Sequence, residues 1–303
     1  MQDVINKQPA RSSADSPTAT LRVVCFGAAG PKAGLVLPQL AKRGVQIRAF
    51  IHDEHARSEV LNDGAHDIVV GNLAVSDQVD AAVADMDAAF YIAPNGMQDE
   101  AAVGVAFVEA AKRADVRRIV FSSIMAPSVA IPMHLAKGTV EDAIRRSGLE
   151  FAVLQPAMFY QNIGSSWDDI VKTGEYAEPW ANEARLCRVD YRDIAECAAI
   201  ALIEDTLLNG TFELCAEPGL TRTEIAAVIG ELVRKSVTAK ELDSEKIASS
   251  AGPYAPILKS MFEFYGQYGL HGNTLTLRTI LGRNPRSLRD YLIELRDGSY
   301  ASV

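Results

Sequence analysis

Short apolar runs alternate with amphipathic segments over the first half of the chain. The runs, each rich in Val, Ile or Phe, occupy residues 21–26, 45–51, 67–70, 88–92, 119–121 and 151–154. Nearly continuous apolar character predicts strands of a parallel sheet that is covered on both faces. Between the runs, apolar residues recur at helical spacing, as in Ala33, Leu37, Leu40 and Ala41. This alternation predicts an α/β fold, a doubly wound parallel sheet over residues 21–155.

The rhythm changes after residue 155. Residues 186–189 and 211–214 read as short strands, and Asp190 is placed to cap a helix. Thr221 with Glu224 has the spacing of a capping box at the start of another helix. We therefore expect residues 156–303 to form a smaller α+β lobe, interleaved with the sheet and packed over its carboxyl edge. Residues 1–20 are polar and are predicted to be a flexible tail.

Composition excludes several classes of protein. The 303 residues are 48% apolar, and 30 basic against 39 acidic residues give a net charge of −9. Without a basic stripe, nucleic-acid binding is not expected. No apolar stretch approaches the ~20 residues that span a bilayer, so no membrane association is predicted. The four cysteines form no CxxC or Cys/His cluster, which predicts no metal site and reduced thiols, and hence a cytoplasmic protein.

A glycine-rich turn follows the first predicted strand directly. The sequence runs from Leu21 through Gly27-Ala-Ala-Gly30-Pro-Lys-Ala33-Gly34 into a predicted helix. Gly27 permits a tight turn, Gly30 permits close approach of backbone N–H groups to a diphosphate, and Ala33 or Gly34 permits close helix–strand packing. This arrangement favours nucleotide binding over a purely structural turn. Pro38 inside the helix predicts a kink or irregular early turns.

The end of the second strand determines which dinucleotide is expected. An acidic residue there would bind a ribose diol, whereas a basic one would accommodate a 2′-phosphate. Arg48 and His52 are predicted to face one side near the strand end, and Lys32 and Arg57 are candidates to reach it. Asp53 and Glu54 instead favour a ribose diol, and hence NAD. We expect NADP, with NAD as the alternative.

Several ordered motifs resemble the NmrA-like branch of the atypical short-chain dehydrogenase/reductases. GAAGPKA at 27–33 is similar to the family's GATGxxG turn, IRAFIHDEHA at 47–56 to its second strand, and GNL at 71–73 to a GDL turn. IVFSSI at 119–124 is similar to the fifth strand. The segment from Lys137 to Asn162 is similar to K…VE…SGL…LRPxxFxEN, and LGRNPRSLRDYL at 281–292 resembles the C-terminal segment of quinone- and dye-reducing members.

The resemblance implies a Rossmann-type domain and assigns positions along the bound NAD(P). By position it places Gly27, Ala29, Gly30, Pro31, Lys32 and Ala33 at the diphosphate, His52 at the adenosine ribose, and Asn72 and Leu73 beside the adenine. It likewise places Ala93, Pro94 and Asn95 along the cofactor, Lys137 at the nicotinamide ribose, and Phe159, Tyr160, Gln161 and Asn162 at the nicotinamide.

The catalytic groups depart from the common pattern of short-chain reductases. In those enzymes a Tyr-x-x-x-Lys pair is catalytic: the tyrosine donates the proton, and the lysine lowers the pKa of the tyrosine. Here Met133 stands four residues before Lys137 and cannot donate a proton. His134 is a candidate donor, with a surface or capping role as the alternative. Ser123, with Ser122, is a candidate to polarise a carbonyl or to cap the strand, and Tyr160 could offer a phenol.

The expected substrate wall is apolar, which suits a small, flat, hydrophobic molecule. Its candidate residues, some of which are expected to be core, are Met125, Pro127, Met158, Phe159, Trp167, Trp180, Phe262 and Tyr265. We expect an NAD(P)H-dependent reductase of an aromatic or quinonoid compound, for which water can protonate the product. The alternatives are a non-catalytic NAD(P) sensor that binds a regulatory protein, and an inactive nucleotide-binding relic. The chain is expected to be a monomer or a homodimer.

Overall fold

The computed structural model describes residues 20–94, 96–97 and 99–300, so most of the predicted tail lies outside the described residues. The strands are β1 (Arg22–Phe26), β2 (Gln46–Ile51), β3 (Asp67–Val70), β4 (Ala88–Tyr91), β5 (Arg118–Ser122), β6 (Glu150–Pro156), β7 (Met158–Phe159), β8 (Glu175–Glu178), β9 (Leu186–Val189), β10 (Gly210–Leu214), β11 (Glu217–Leu220) and β12 (Thr238–Glu241).

The α-helices alternate with the strands through the first half of the chain and dominate the C-terminal part. They are α1 (Val36–Ala41), α2 (Arg57–Asn62), α3 (Ser76–Val83), α4 (Glu100–Arg113), α5 (Pro132–Arg146), α6 (Gln161–Gly164), α7 (Trp167–Thr173), α8 (Tyr191–Ile203), α9 (Arg222–Val233), α10 (Ser244–Ser249), α11 (Ala255–Tyr268), α12 (Leu275–Leu281) and α13 (Leu288–Arg296).

Seven parallel strands form the main sheet, in the order β10-β6-β5-β4-β1-β2-β3. The order reverses between β1 and β4, because β2 lies on one side of β1 and β4 on the other. In such sheets ligands bind beyond the carboxyl ends of the strands at this switch point. The predicted doubly wound parallel sheet is confirmed.

Hydrophobic cores cover both faces of the sheet. Val23 and Cys25 of β1 belong to the core beneath α1 and α8, whereas Val24 and Phe26 belong to the core beneath α3, α4 and α5. This two-sided burial is why the strands read as continuous apolar runs instead of alternating ones. Complete burial raises the pKa of the Cys25 thiol to about 12, which keeps it protonated.

The first helix shows how Pro38 is accommodated. A 3₁₀ turn at Ala33–Leu35 precedes α1, so that Pro38 becomes the third residue of the α-helix. Backbone N–H groups in a first turn have no intrahelical acceptor, and the missing donor therefore removes no helical hydrogen bond. The irregular early turns that the proline predicts are confirmed.

The remaining segments form a lobe that is joined to the main sheet. It holds a three-stranded sheet, β11-β9-β7, and a two-stranded one, β12-β8, with the last five helices around them. Asp190 caps α8, and Thr221 with Glu224 forms the predicted capping box of α9. The sequence pattern did not predict four short strands of the lobe, β7, β8, β11 and β12.

The segment at 281–292 anchors the end of the chain. The carboxylate of Asp193 on α8 is fully buried and accepts hydrogen bonds from Arg283 Nη2 at 2.9 Å, from the backbone N–H of Arg286 at 2.8 Å and from the Arg286 guanidinium. Desolvation of a carboxylate is tolerated when several charge-assisted donors meet it. This part of the resemblance motif therefore acts as a clasp between the C-terminal helices and α8.

Within the described residues, the helices are all too short or too polar to span a bilayer. The same residues contain no cluster of three or more His, Cys, Asp or Glu side chains suited to hold a metal ion.

Candidate functional site

The glycine turn lies at the switch point of the main sheet. Gly27 follows β1 with a φ of +73°, and a Cβ there would meet Ile92 Cγ2, just beyond β4, at 3.4 Å. The Gly30 N–H donates to the Gly27 carbonyl at 2.8 Å, which closes the turn. A left-handed φ favours glycine. Gly27 therefore lets the chain turn at the carboxyl edge of the sheet, between the ends of β1 and β4.

Small residues hold the following helix close to the turn. Ala33 is buried, and a Cβ on Gly34 would lie 3.2 Å from the Ala28 carbonyl oxygen. Ala29 is partly buried in the turn, and Pro31 is exposed. The sequence therefore uses Ala33 and Gly34 together where a single glycine is common, and the turn stays compact.

Lys32 is the cation of the turn. Its ammonium lies 5.6 Å from the ring centroid of Phe159, on the short strand β7. Burial of about half the side chain lowers the pKa of Lys32, because desolvation disfavours the charged form. An anion beside this ammonium would offset that cost. The turn and its lysine therefore fit a diphosphate.

One cavity of about 410 Å³ opens beside this turn. Its floor comes from the ends of β4, β5 and β6, and α11 of the lobe forms the far wall. The predicted site residues along it are Lys32, Ala93, Pro94, Ser123, Lys137, Phe159 and Asn162. Asn95 lies outside the described residues. The cavity therefore brings together residues that are far apart in the sequence.

Aromatic and apolar side chains dominate the lobe's wall. Of the predicted wall residues, Met158, Phe159, Trp180, Phe262 and Tyr265 line the cavity. Met125 and Trp167 belong to the hydrophobic core instead, and the Pro127 backbone lies against Gly138 of α5. An apolar wall with few polar groups suits a flat hydrophobic ligand.

An ion pair in the lining of the cavity joins two neighbouring helices. Glu100, the first residue of α4, accepts a hydrogen bond from the Lys137 ammonium on α5, and both side chains are almost buried. One turn further along each helix, Gly104 lies against Val140, so closely that a Cβ on Gly104 would meet Val140 Cγ1 at 3.1 Å. The glycine lets α4 and α5 approach, and that approach places Glu100 beside Lys137.

The two serines at the end of β5 are held by buried partners. Ser123 Oγ donates to Glu141 Oε1 at 2.6 Å, and the same carboxylate accepts from Gln155 Nε2 at 2.8 Å. Ser122 Oγ accepts from the hydroxyl of Tyr191 at 3.0 Å. The proton of Ser123 is thus directed to Glu141, although both serines line the cavity.

His134 is fully buried and forms a hydrogen bond with Tyr265 of the cavity wall. Its Nδ1 lies 2.9 Å from the Ala126 carbonyl oxygen and its Nε2 lies 3.0 Å from the Tyr265 hydroxyl. Because a carbonyl oxygen only accepts, Nδ1 carries the proton and Nε2 accepts from Tyr265. Burial lowers the pKa of His134, which favours this neutral form. The histidine is neither at the surface nor a helix cap, and it orients Tyr265.

Tyr160 and Gln161, which the resemblance places at the nicotinamide, are not brought to the cavity. Tyr160 is completely buried, and its hydroxyl donates to Glu217 on β11; burial, and then the charge of Glu217, raise the pKa of Tyr160. Gln161 donates from Nε2 to Asp190 at 2.9 Å and accepts from the Tyr191 N–H at 3.1 Å. Both residues tie β7 and α6 to neighbouring elements of the lobe.

The end of β2 differs from the expectation for Arg48. That side chain donates to Asp67 Oδ2 at 2.6 Å and to carbonyls at the end of α3, so its guanidinium is held at the first residue of β3 and not at the carboxyl end of β2. β3 supplies this acidic partner directly opposite Arg48. Lys32 likewise faces Phe159, not this junction.

The acidic residues after β2 are also engaged. The Asp53 carboxylate accepts from the His55 N–H at 2.9 Å and caps a 3₁₀ turn, and Glu54 pairs with Arg57. His52 is exposed, with Nδ1 3.4 Å from the Gly71 carbonyl oxygen. His52 is therefore an exposed basic group beside the strand end.

The turn after β3 lies next to this junction. Gly71 donates its N–H to the Ile51 carbonyl at 2.9 Å, which joins the ends of β2 and β3. Asn72 Oδ1 accepts from the Ala74 N–H at 2.9 Å, and Leu73 is largely buried. The structure thus places Asn72 and Leu73 on the same edge of the sheet as His52 and the glycine turn.

Sequence reasoning missed several residues of the cavity. Glu100 carries no motif, and only its contact with Lys137 reveals it. Tyr254, Leu258 and Met261 come from the aromatic C-terminal segment, whose helical spacing was the one available signal.

Comparisons with known proteins give a consistent picture. The profile of the NmrA-like family matches residues 19–292. An uncharacterized oxidoreductase, YesF, of Bacillus subtilis is 25% identical over 276 residues, 89% of this chain and 93% of that protein. An NAD(P)H azoreductase of Xenophilus azovorans is 24% identical over 278 residues, 89% and 96% of the two chains.

A similar fold occurs in a solved enzyme. The crystal structure of the NADPH-dependent quinone oxidoreductase QOR2 from Escherichia coli, complexed with NADPH, superposes with a TM-score of 0.80 at 19% identity. The superposition covers 90% of this chain and 99% of that one. At this identity the likeness concerns the fold.

Proposed function

The chain belongs to the NmrA-like family, and we propose that it is an NAD(P)H-dependent oxidoreductase that reduces a hydrophobic, aromatic or quinonoid molecule by hydride transfer. One observation carries the proposal. A single cavity joins Lys32 of the glycine turn, the ends of β4, β5 and β6, and the aromatic wall of the lobe. The azoreductase relative and the fold of the quinone oxidoreductase support the same class of reaction.

The residues at the sheet edge support a dinucleotide cofactor. The turn at Gly27 and Gly30 would hold the diphosphate, with Lys32 as its counter-ion. Ala93 and Pro94 would lie along the bound molecule, and Asn95 is proposed beside them from the sequence alone. When bound, the cofactor supplies the hydride.

NADP is the proposed form of the cofactor. Asp53 and Glu54, which would bind a ribose diol, are already used by a helix cap and by Arg57. His52 is exposed at the same junction and would accommodate a 2′-phosphate. Asn72 and Leu73 would flank the adenine.

In the proposed reaction the side chains of the cavity mainly bind and orient the cofactor and the substrate, and they take little part in proton transfer. Lys137 would donate to the ribose next to the nicotinamide while Glu100 holds its ammonium. Trp180 and Phe262 would pack on a flat substrate and exclude water from the cavity. Reduction of a quinone or a dye leaves an anion that water can protonate, which is consistent with Met133, a thioether, lining the cavity.

Two measurements test the proposal. NADPH in hundredfold excess over its dissociation constant should stabilise the protein by ~2.7 kcal/mol, seen as a shift in melting temperature. NADPH oxidation should then proceed with some members of a panel of quinones, enones and dyes. Absence of a shift with both NADPH and NADH would contradict the cofactor site.

The ribose contact has its own test. Lys137→Ala should weaken NADPH binding, whereas Lys112→Ala, at an exposed position at the end of α4, should not. Equal affinity in the Lys137 variant and the wild type would contradict its proposed role.

A sensor of the cofactor's redox state is the second candidate. Met133 favours it, because the cavity has a thioether where related reductases hold a proton donor. Tight cofactor binding without turnover on the whole panel, together with a protein captured by only one redox form, would favour this reading over catalysis.

A further inference from the structure

The Glu100–Lys137 pair suggests a role in choosing the substrate. Three charged side chains line the cavity within the described residues: Lys32, Glu100 and Lys137. The exposed fraction is 8% for the Glu100 side chain and 12% for that of Lys137. The charges of the pair cancel inside a largely apolar space.

We propose that Glu100 is a specificity-determining residue: by neutralising Lys137, it keeps the part of the cavity around this pair free of net charge and so selects an uncharged acceptor over an anionic one. The inference rests on the proposed function, because it concerns the substrate of that same site. It goes beyond it by assigning the selection to a residue that belongs to no motif.

Electrostatics in an apolar cavity carries the argument. A buried charge without a partner is costly, and removing one member of a buried pair leaves the other uncompensated. If Glu100 were absent, the Lys137 ammonium would attract an anion into the cavity. With Glu100 in place, an anionic ligand meets a carboxylate beside the cation and gains little net attraction.

Lys32 does not decide between uncharged and anionic substrates. Its ammonium lies over Phe159 in the glycine turn, where the proposed diphosphate would neutralise it. Tyr254, half-buried on the wall near Glu100, adds no charge, because burial and then the Glu100 carboxylate raise the pKa of its phenol. The pair of Glu100 and Lys137 therefore sets the charge that a substrate meets.

The geometry also explains why the pair is held so firmly. Glu100 begins α4 and Lys137 lies on α5, and the close approach of Gly104 to Val140 fixes the spacing of the two helices. Neither side chain has to extend across open solvent to meet the other. The packing of α4 against α5 therefore keeps the charges of Glu100 and Lys137 paired.

The experiment compares two ligands that differ mainly in charge. Naphthalene-2-sulfonamide is neutral at pH 7 and naphthalene-2-sulfonate is an anion of nearly the same shape. Their dissociation constants are measured by calorimetry, with and without saturating NADP⁺, for the wild type, Glu100→Gln, Lys137→Met and Glu109→Gln. Glu109 lies exposed on α4, so its variant matches the change of charge away from the cavity.

We expect the wild type to prefer the sulfonamide. Glu100→Gln should shift the ratio of the two dissociation constants towards the sulfonate by at least about tenfold, the equivalent of ~1.4 kcal/mol. Lys137→Met should shift it the opposite way, and Glu109→Gln should leave it unchanged. General damage to the fold cannot produce shifts of opposite sign in the two variants.

The opposite results would overturn the inference. If Glu100→Gln keeps the wild-type ratio, or if neither probe binds the wild type, Glu100 does not select by charge. Lys32 is common to all variants, so its attraction cancels in the comparison. Failure of the proposed function would be visible separately, as a missing NADPH melting shift or missing turnover, while the ratio of the probe affinities still reports on Glu100.

Discussion

Substitution of Gly104 by alanine tests the contact that brings α4 and α5 together. A Cβ at this position would overlap Val140 Cγ2, and it would lie 3.1 Å from Cγ1 and 3.3 Å from Cβ of the same side chain. Favourable carbon–carbon contacts need about 3.5–4.0 Å. Val140 is fully buried.

The size of the effect follows from two opposing contributions. Overpacking of a buried contact costs about 1–3 kcal/mol. Alanine in a helix interior gains roughly 0.5–1 kcal/mol over glycine. We therefore expect Gly104→Ala to lower the free energy of unfolding by about 1 kcal/mol, the difference between the middles of the two ranges, in urea titrations at pH 7.

Matched variants separate packing from helix propensity. Gly266→Ala, within α11, would place its Cβ no closer than 3.4 Å to a neighbour, so it should be neutral or stabilising. Gly104→Ala combined with Val140→Ala should regain part of the stability lost by Gly104→Ala alone, because the overlapping methyls are gone. A Gly104→Ala protein as stable as the wild type would refute the close approach of the two helices.

Three further changes have defined outcomes. Burial lowers the pKa of Lys32 in the free protein, and a bound diphosphate should raise that pKa. NADPH affinity should therefore be greatest below the free-state pKa of Lys32 and should fall as the pH rises through that value. In Lys32→Met, NADPH affinity should be weaker and should not change with pH. Asp193→Ala should lower the free energy of unfolding by about 2–4 kcal/mol in urea, since Arg283 and Arg286 lose a buried acceptor; an unchanged midpoint would contradict the clasp. Tyr160→Phe should cost about 1–2 kcal/mol of stability because it removes the hydroxyl that binds Glu217, and a loss of NADPH affinity without a loss of stability would instead place Tyr160 in the site.

The five central strands of the main sheet, β1, β2, β4, β5 and β6, could be predicted from the sequence because they are largely buried on both faces. Residues 67–70 and 186–189 were placed with their observed bounds, and the others within one or two residues. Caps gave equally local signals, as Thr221 and Glu224 show. The strands β8 and β12 could not be found in this way, because a pair of short, half-exposed strands has neither an apolar run nor a clear alternation.

Local spacing predicts the glycine turn, because that segment carries its own geometry: a tight bend before a helix. The hydrogen-bond partners of Arg48 and His134 could not be predicted, because Asp67 and Tyr265 are remote in the sequence. Glu100 was missed for the same reason: its meaning depends on a helix that begins thirty-two residues later, at Pro132.

The position of β10 bears on how the protein is made. Six parallel strands are complete once the ribosome has passed Pro156, but their outer border at β6 stays bare until residues 210–214 emerge. An unpaired border of this kind invites pairing with other chains. Between residues 156 and 210 the nascent chain therefore holds six of the seven strands with this border unpaired, and a product that stops at residue 156 should aggregate. The sheet of the first half of the chain therefore depends on a strand from the second half, although the glycine turn lies in the first half alone.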